Sequence, residues 1–171
     1  NVCNASPVAD TVPALLVYGA VARIASSSGE RDVPLADFFL GFRRTACAAT
    51  EIVTSVWLPA PAPGSGSAFL RLTRRHGVDL ATVSAAAYVD RTGRVAIGLG
   101  AVGPRPLLAE LPRPVDPEDE AAMFGELEAV LDVATPISDV RSTREYRHAM
   151  VRVLARRAVR TAAQRARNGS R

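Results

Sequence analysis

The sequence predicts an α+β protein in two parts, and three observations carry that prediction. Short β-branched runs separated by turn residues occupy 20–25, 31–35 and 51–58. Three further strand-like runs, 68–75, 80–89 and 94–100, are followed by two helical patterns at 117–131 and 142–166, strands first and helices after. Between the halves lies PAPAPGSGS, residues 59–67, which has nothing from which to build a packed core and reads as a linker or long surface loop.

Taken in order, Asn4-Ala5-Ser6-Pro7 reads as loop, N-cap and first helical residue, because Ser accepts from orphan amides and Pro lacks one. Pro13 limits that helix to one turn, with a fresh start at Asp10 or Thr11 running through Leu15, Leu16 and Tyr18. Ser26-Ser27-Ser28-Gly29 would join 20–25 and 31–35 as a hairpin. Leu35 to Phe39 allows one helical turn, which Gly41 breaks, and Pro59 stops the strand at 51–58. In the second half, Asp90-Arg91-Thr92-Gly93 is a hairpin turn between the last two strands of a meander. Ser142-Thr143-Arg144-Glu145 has capping-box spacing, and Tyr146, Met150, Val153, Leu154 and Ala158 form a stripe at helical period.

Composition removes several classes of protein. With 171 residues, 48% apolar and 22% charged, the chain has globular rather than disordered or collagen-like composition. No apolar run reaches membrane-spanning length. Cys3 and Cys47 lack metal-ligand spacing and His76 and His148 are far apart, so no metal site is expected in this chain; two thiols fit a reducing cytoplasm. All 21 basic residues are arginine, and they are unevenly spread: residues 141–171 hold ten against one acid, Glu145, while residues 1–140 hold 11 against 16 acids. The basic character therefore belongs to the last helix. Asn1 is neither an initiator nor the start of a signal peptide, and the chain is expected to begin inside a longer polypeptide.

Few motifs carry chemistry. Gly98-Leu-Gly-Ala-Val-Gly103 matches G-x-G-x-x-G formally, but Pro104 and Pro106 forbid the helix that a dinucleotide fingerprint needs, so it reads as a strand leaving into a loop. The stretch Asn1 to Asp10 gathers small polar side chains at a helix start, which suits either an anion or plain N-capping. Arg71, Arg74, Arg75 and His76 cluster at a strand end, where the plain reading is a solvated terminus. Asn4-Ala5-Ser6 and Asn168-Gly169-Ser170 are glycosylation sequons without a secretion signal. No nucleophile–base–acid set can be assembled.

Six segments, in order, resemble the C-terminal part of the FAD-binding medium subunit of molybdenum hydroxylases of the carbon monoxide dehydrogenase and xanthine dehydrogenase type. They are NVCNASPVAD (1–10), PLADFFLGFRRT (34–45), EIVTSVWLP (51–59), SAFLRLTRR (67–75), IGLGAVGPRP (97–106) and TPISDVRSTREYRHAMVRVLARRA (135–158). The resemblance implies that 1–59 is the remainder of the second α/β lobe of an FAD-binding domain. It implies that 67–167 is the C-terminal domain, a small antiparallel sheet with helices. Asn1 would end a Gly-Gly-Asn loop, and the first lobe, with its own phosphate loop, has no counterpart here. Asn1, Asn4, Ser6 and Asp10 would contact FAD, Val53 would pack near the isoalloxazine, and Arg71 would stand where the family often has lysine. The loop Arg74–Asp79 would approach the flavin.

By this resemblance the intact subunit relays electrons to an acceptor through FAD, a flavin task of positioning and tuning. The molybdenum cofactor would sit on a large partner subunit and the [2Fe–2S] clusters on a small one. Two rivals come from other classes: a docking module that binds no flavin, and a nucleic-acid binder using the basic helix. Against the latter, the helix carries an apolar stripe that must pack on something.

Overall fold

The computed structural model describes residues 1–75 and 77–168. His76 and the last two residues of the Asn168 sequon lie outside the described residues. After an irregular loop, helix α1 (Val12–Val17) leads into strands β1 (Val21–Ser26) and β2 (Gly29–Pro34). Ser26 pairs with Gly29, so the hairpin turns over Ser27-Ser28, and Gly29 takes φ 129° there. One turn of helix, α2 (Leu35–Phe38), precedes a small ribbon of β3 (Phe39–Gly41) and β4 (Arg44–Thr45) that the sequence did not suggest. Strand β5 (Ile52–Trp57) completes an antiparallel sheet of order β2-β1-β5. Its core is Ile24, Leu35, Phe38 and Phe39 with the buried residues of α1.

Beyond an irregular stretch, pinned where Ala62 N–H donates to the Tyr88 hydroxyl at 3.1 Å, comes the meander. It consists of β6 (Gly66–Leu72), β7 (Val83–Val89), β8 (Val95–Gly100) and β9 (Leu107–Glu110), in that order and all antiparallel. Both middle strands are buried along their whole length. Alternation explains why: Val83, Ala85, Ala87, Val95, Ile97 and Leu99 face one core, while Ala86, Tyr88 and Ala96 face α1 through Val17. Helices α3 (Glu120–Leu131) and α4 (Arg144–Asn168) cover the first of these faces.

Several expectations change in detail. Strand β6 ends at Leu72 and β7 begins only at Val83, so 73–75 and 80–82 lie outside the strands. Strand β9 went unread because Leu107-Leu-Ala-Glu110 is short and follows two prolines. Helix α3 starts at Glu120, where the Asp119 carboxylate accepts from Ala122 N–H. At the start of α4 the cap is Thr143, whose hydroxyl accepts from Tyr146 N–H at 3.2 Å, and Ser142 stands outside. The apolar stripe is also rotated. Tyr146 is 47% exposed, and the buried line runs Val151, Leu154, Ala155, Ala158, Val159, Ala162. Alanines win because the helix sits hard on the sheet: a Cβ at Gly66 would stand 2.1 Å from the Ala162 carbonyl.

The glycine motif has the same explanation. A Cβ on Gly98 would meet the Pro13 carbonyl at 2.2 Å, and one on Gly100 would meet Ser84 Oγ at 2.4 Å. These glycines make room for α1 on the sheet.

Candidate functional site

The N-terminal loop is stitched to both halves of the molecule. Asn1 Oδ1 accepts from Thr11 N–H at 3.3 Å and from the Thr11 hydroxyl at 3.1 Å, so it ties the loop to the residue that precedes α1. Ala5, buried and at φ 44°, offers its carbonyl to Arg43 N–H beside the β3–β4 ribbon. The Pro7 carbonyl accepts from Ala101 N–H at 2.7 Å, just beyond β8. Ser6 does not begin a helix, contrary to the sequence reading. Its hydroxyl accepts from Val8 N–H at 3.4 Å in a local turn, and the helix waits for Val12. Pro13 near the N-terminus of α1 favours that later start, since its missing N–H costs nothing there.

Asp10 and Arg71, separated by 61 residues, meet across the two halves: Arg71 Nη1 donates to Asp10 Oδ2 at 2.7 Å. The other oxygen, Asp10 Oδ1, is buried without a hydrogen-bond partner. A buried carboxylate oxygen left empty costs free energy, so it marks a place where a donor belongs. Asn4 is exposed in the same loop. Val53 is half-buried in β5, paired with Ile24 and packed on the first core. Asn1, Ser6, Asp10 and Arg71 thus share one end of the molecule, while Val53 lies in the β2-β1-β5 sheet. Beyond β6, Arg74 pairs with Asp79, and this guanidinium holds the Asp79 carboxyl below its ordinary value.

An adjacent cleft of about 450 Å³ was not visible in the sequence. Ser6, Pro7 and Val8 form one wall, and its polar corner comes from Asp139, Arg141 and Arg147. Arg147 is 2% exposed. Its Nη1 donates to the carbonyls of Thr82 (2.6 Å) and Ala101 (3.1 Å), and its Nη2 to Asp139 Oδ1 at 2.7 Å. Burial opposes the charged form of Asp139, yet hydrogen bonds from Arg141 and Arg147 outweigh it and hold the carboxyl well below the usual carboxylate range. Arg147 sits among so many arginines in the sequence that nothing singled it out.

Three further arginines of α4 turn towards α3, while Arg144 and Arg157 stay exposed. Arg152 pairs with Glu128 and Asp132, Arg156 with Glu128, and Arg160 with Glu120, all on or just beyond α3. Arg156 and Arg160 also lie over the Phe124 ring. A basic face neutralised by its neighbouring helix is a poor nucleic-acid surface. Among the described residues, no group of three or more His, Cys, Asp or Glu could hold a metal ion, and no helix is long and apolar enough to cross a membrane.

A three-stranded sheet with a stitched loop is thus tied by an ion pair to a meander under two helices, and both parts match flavoprotein domains of molybdopterin-dependent dehydrogenases. Residues 1–61 match the FAD binding domain in molybdopterin dehydrogenase, and residues 68–162 match the CO dehydrogenase flavoprotein C-terminal domain. The chain belongs to this CO dehydrogenase flavoprotein family. It is 33% identical over 175 residues to the carbon monoxide dehydrogenase medium chain of Afipia carboxidovorans, covering 98% of this chain and 60% of that one. It is 25% identical over 167 residues to the xanthine dehydrogenase FAD-binding subunit of Escherichia coli O157:H7, covering 93% and 57%. Among solved structures, carbon monoxide dehydrogenase from Hydrogenophaga pseudoflava, in a form lacking the Mo-pyranopterin moiety, superposes with a TM-score of 0.85 at 27% identity. That superposition covers 96% of this chain and 59% of that one. The chain thus spans about three-fifths of the length of these relatives.

The residues present fit a flavin. Asp10 Oδ1 is an unfilled buried acceptor, and the isoalloxazine imide and ribityl hydroxyls of FAD are donors of the kind it lacks.

Proposed function

We propose that this chain is the C-terminal part of the FAD-carrying subunit of a molybdenum hydroxylase, working in the cytoplasm. On this reading 1–59 completes the second lobe of an FAD-binding domain and 67–167 is the C-terminal domain. A large partner carries the molybdenum cofactor and a small one the [2Fe–2S] clusters. When bound, FAD supplies the redox chemistry, taking up electrons from the clusters and releasing them to an acceptor. This chain's residues hold and orient it. Asp10 would hold the cofactor through Oδ1, with Arg71 fixing the carboxylate by holding Oδ2. Asn1 keeps the loop closed on α1, and Ser6 and Asn4 present polar side chains from it. Val53 offers an apolar contact from β5.

The observation that carries this reading is the Asp10–Arg71 pair with its one empty oxygen, on a chain whose two halves match the two flavoprotein families in order. Its test is FAD occupancy in a chain that also carries the first lobe. Asp10→Ala should weaken FAD about tenfold or more, the loss expected for a charged hydrogen bond. Glu30→Ala, at an exposed position of β2, should leave it unchanged. Equal flavin content in both purified variants removes the assignment of Asp10.

A further inference from the structure

We infer that the cleft between the N-terminal loop and the C-terminal half is a ligand site for a flat aromatic monoanion of the aryl-carboxylate kind. Its size, about 450 Å³, lies in the range of small-molecule pockets. Three large apolar side chains line it while standing well out of the protein: Phe42 (64% exposed), Leu80 (53%) and Ile137 (69%). They come from three distant segments, and Pro7 and Val8 add a fourth. Apolar surface converging on one cavity marks a binding site, whereas apolar residues scattered singly do not. Phe42 can stack on a ring, which favours a flat aromatic body over a branched aliphatic one.

The polar corner selects the charge. Asp139 receives Arg141 N–H, Nε and Nη2, Arg147 Nη2 and Ser142 N–H, at distances of 2.7 to 3.3 Å. These contacts fill its acceptor capacity of about four lone-pair sites. Two guanidiniums against one saturated carboxylate leave one net positive charge at the corner. Arg147 is buried and committed to backbone carbonyls, so it acts as the anchor. Arg141 is the accessible member: its side chain is 23% exposed, and it spends Nε and Nη2 on Asp139, leaving Nη1 to meet an incoming oxygen. An aromatic ring between the apolar walls, with its carboxylate on Arg141, satisfies both ends of the cleft. Of the residues proposed to contact the flavin, Ser6 is the one that also lines this cleft, and this site does not depend on the flavin reading.

Titration calorimetry on the whole chain tests this with 2-naphthoate and its neutral counterpart 2-naphthamide as probes. One saturable site for 2-naphthoate is expected, with 2-naphthamide bound about tenfold more weakly. Arg141→Gln should remove that preference, and Ile137→Glu, which puts a like charge on the wall at an exposed position, should abolish naphthoate binding. Arg157→Gln, on the exposed side of α4, should change nothing. Equal affinity for the two probes, binding that survives Ile137→Glu, or absence of a saturable site overturns the inference. If Arg141→Gln does not fold, the two probes on the unaltered chain still decide the charge preference.

Discussion

The two larger sheets of this molecule are treated oppositely by their surroundings. In β5 every residue except Val53 is exposed, including Ile52 at 67% and Trp57 at 61%. In β7 and β8 every residue is buried. The difference is coverage. Helices α3 and α4 lie on one face of the meander and α1 on the other, whereas the β2-β1-β5 sheet has a core on one side only. Helix α1 belongs by sequence to the first half, yet it packs on strands of the second. The second half therefore carries its own core, and the first half leans on it.

Removing a support from the closed module should have the largest effect. Leu154, 6% exposed in the core between α4 and the meander, should cost about 2–5 kcal/mol when changed to Ala, because a cavity adds to the lost burial. The whole chain should melt earlier, first half included, as followed by denaturant midpoints with near- and far-ultraviolet circular dichroism. Arg156→Ala on the same helix loses an ion pair to Glu128 whose arginine is 49% exposed, and should cost about 1 kcal/mol or less. Comparable losses from the two variants would mean that charge, not burial, seats α4.

The next effect should separate the halves. Gly98→Ala places a methyl 2.2 Å from the Pro13 carbonyl, so α1 must lift from β8 at a cost of about 1–3 kcal/mol. Hydrogen exchange should then rise in α1, β1, β2 and β5 while the amides of β6 to β9 that face α3 and α4 keep their protection. Uniform loss of protection would show that the halves unfold as one unit and that the first does not merely lean on the second.

How legible this was in the sequence follows the same division. The β1–β2 hairpin, β5, three of the four meander strands and both long helices were readable, because each has a local period bounded by turn residues. What failed was local signal overridden by distant packing. Ser6-Pro7 looks like a helix start, but Asn1 holds Thr11, where α1 begins instead, and Pro7 is committed to Ala101. Tyr146 looked like core because the period was right, but the close seating of α4 at Gly66 favours the alanine line over bulky residues. The G-x-G-x-x-G pattern was rightly set aside as a fingerprint, though its purpose, room for α1, needs the tertiary contact to be seen. Of the site, the loop residues and Arg71 came from the family resemblance. The Asp10–Arg71 contact and the Asp139–Arg141–Arg147 corner join segments that no sequence period relates.

The smallest expected effect concerns how the open sheet is held where burial is lacking. Arg31 on β2 reaches across β1 to Glu51, with Nε and Nη2 on its two oxygens at 2.8 Å each, and Ala48 N–H adds a third hydrogen bond. These donors, Arg31 first, hold the Glu51 carboxyl down to about 2, below its ordinary 4.5. Because the folded value is the lower one, the folded state favours the deprotonated form. The contribution is complete above about 4.5, and it is lost as pH falls through about 2. Glu51→Gln should therefore lower the melting temperature modestly at neutral pH, and the gap from the unaltered chain should narrow as pH drops from 4.5 towards 2. Exchange at β1, β2 and β5 should report the change, with β7 and β8 indifferent, since no part of this ion pair touches the meander. A gap that stays constant across that pH range would show that Glu51 acts through shape rather than charge, and that the open sheet is held by its core after all.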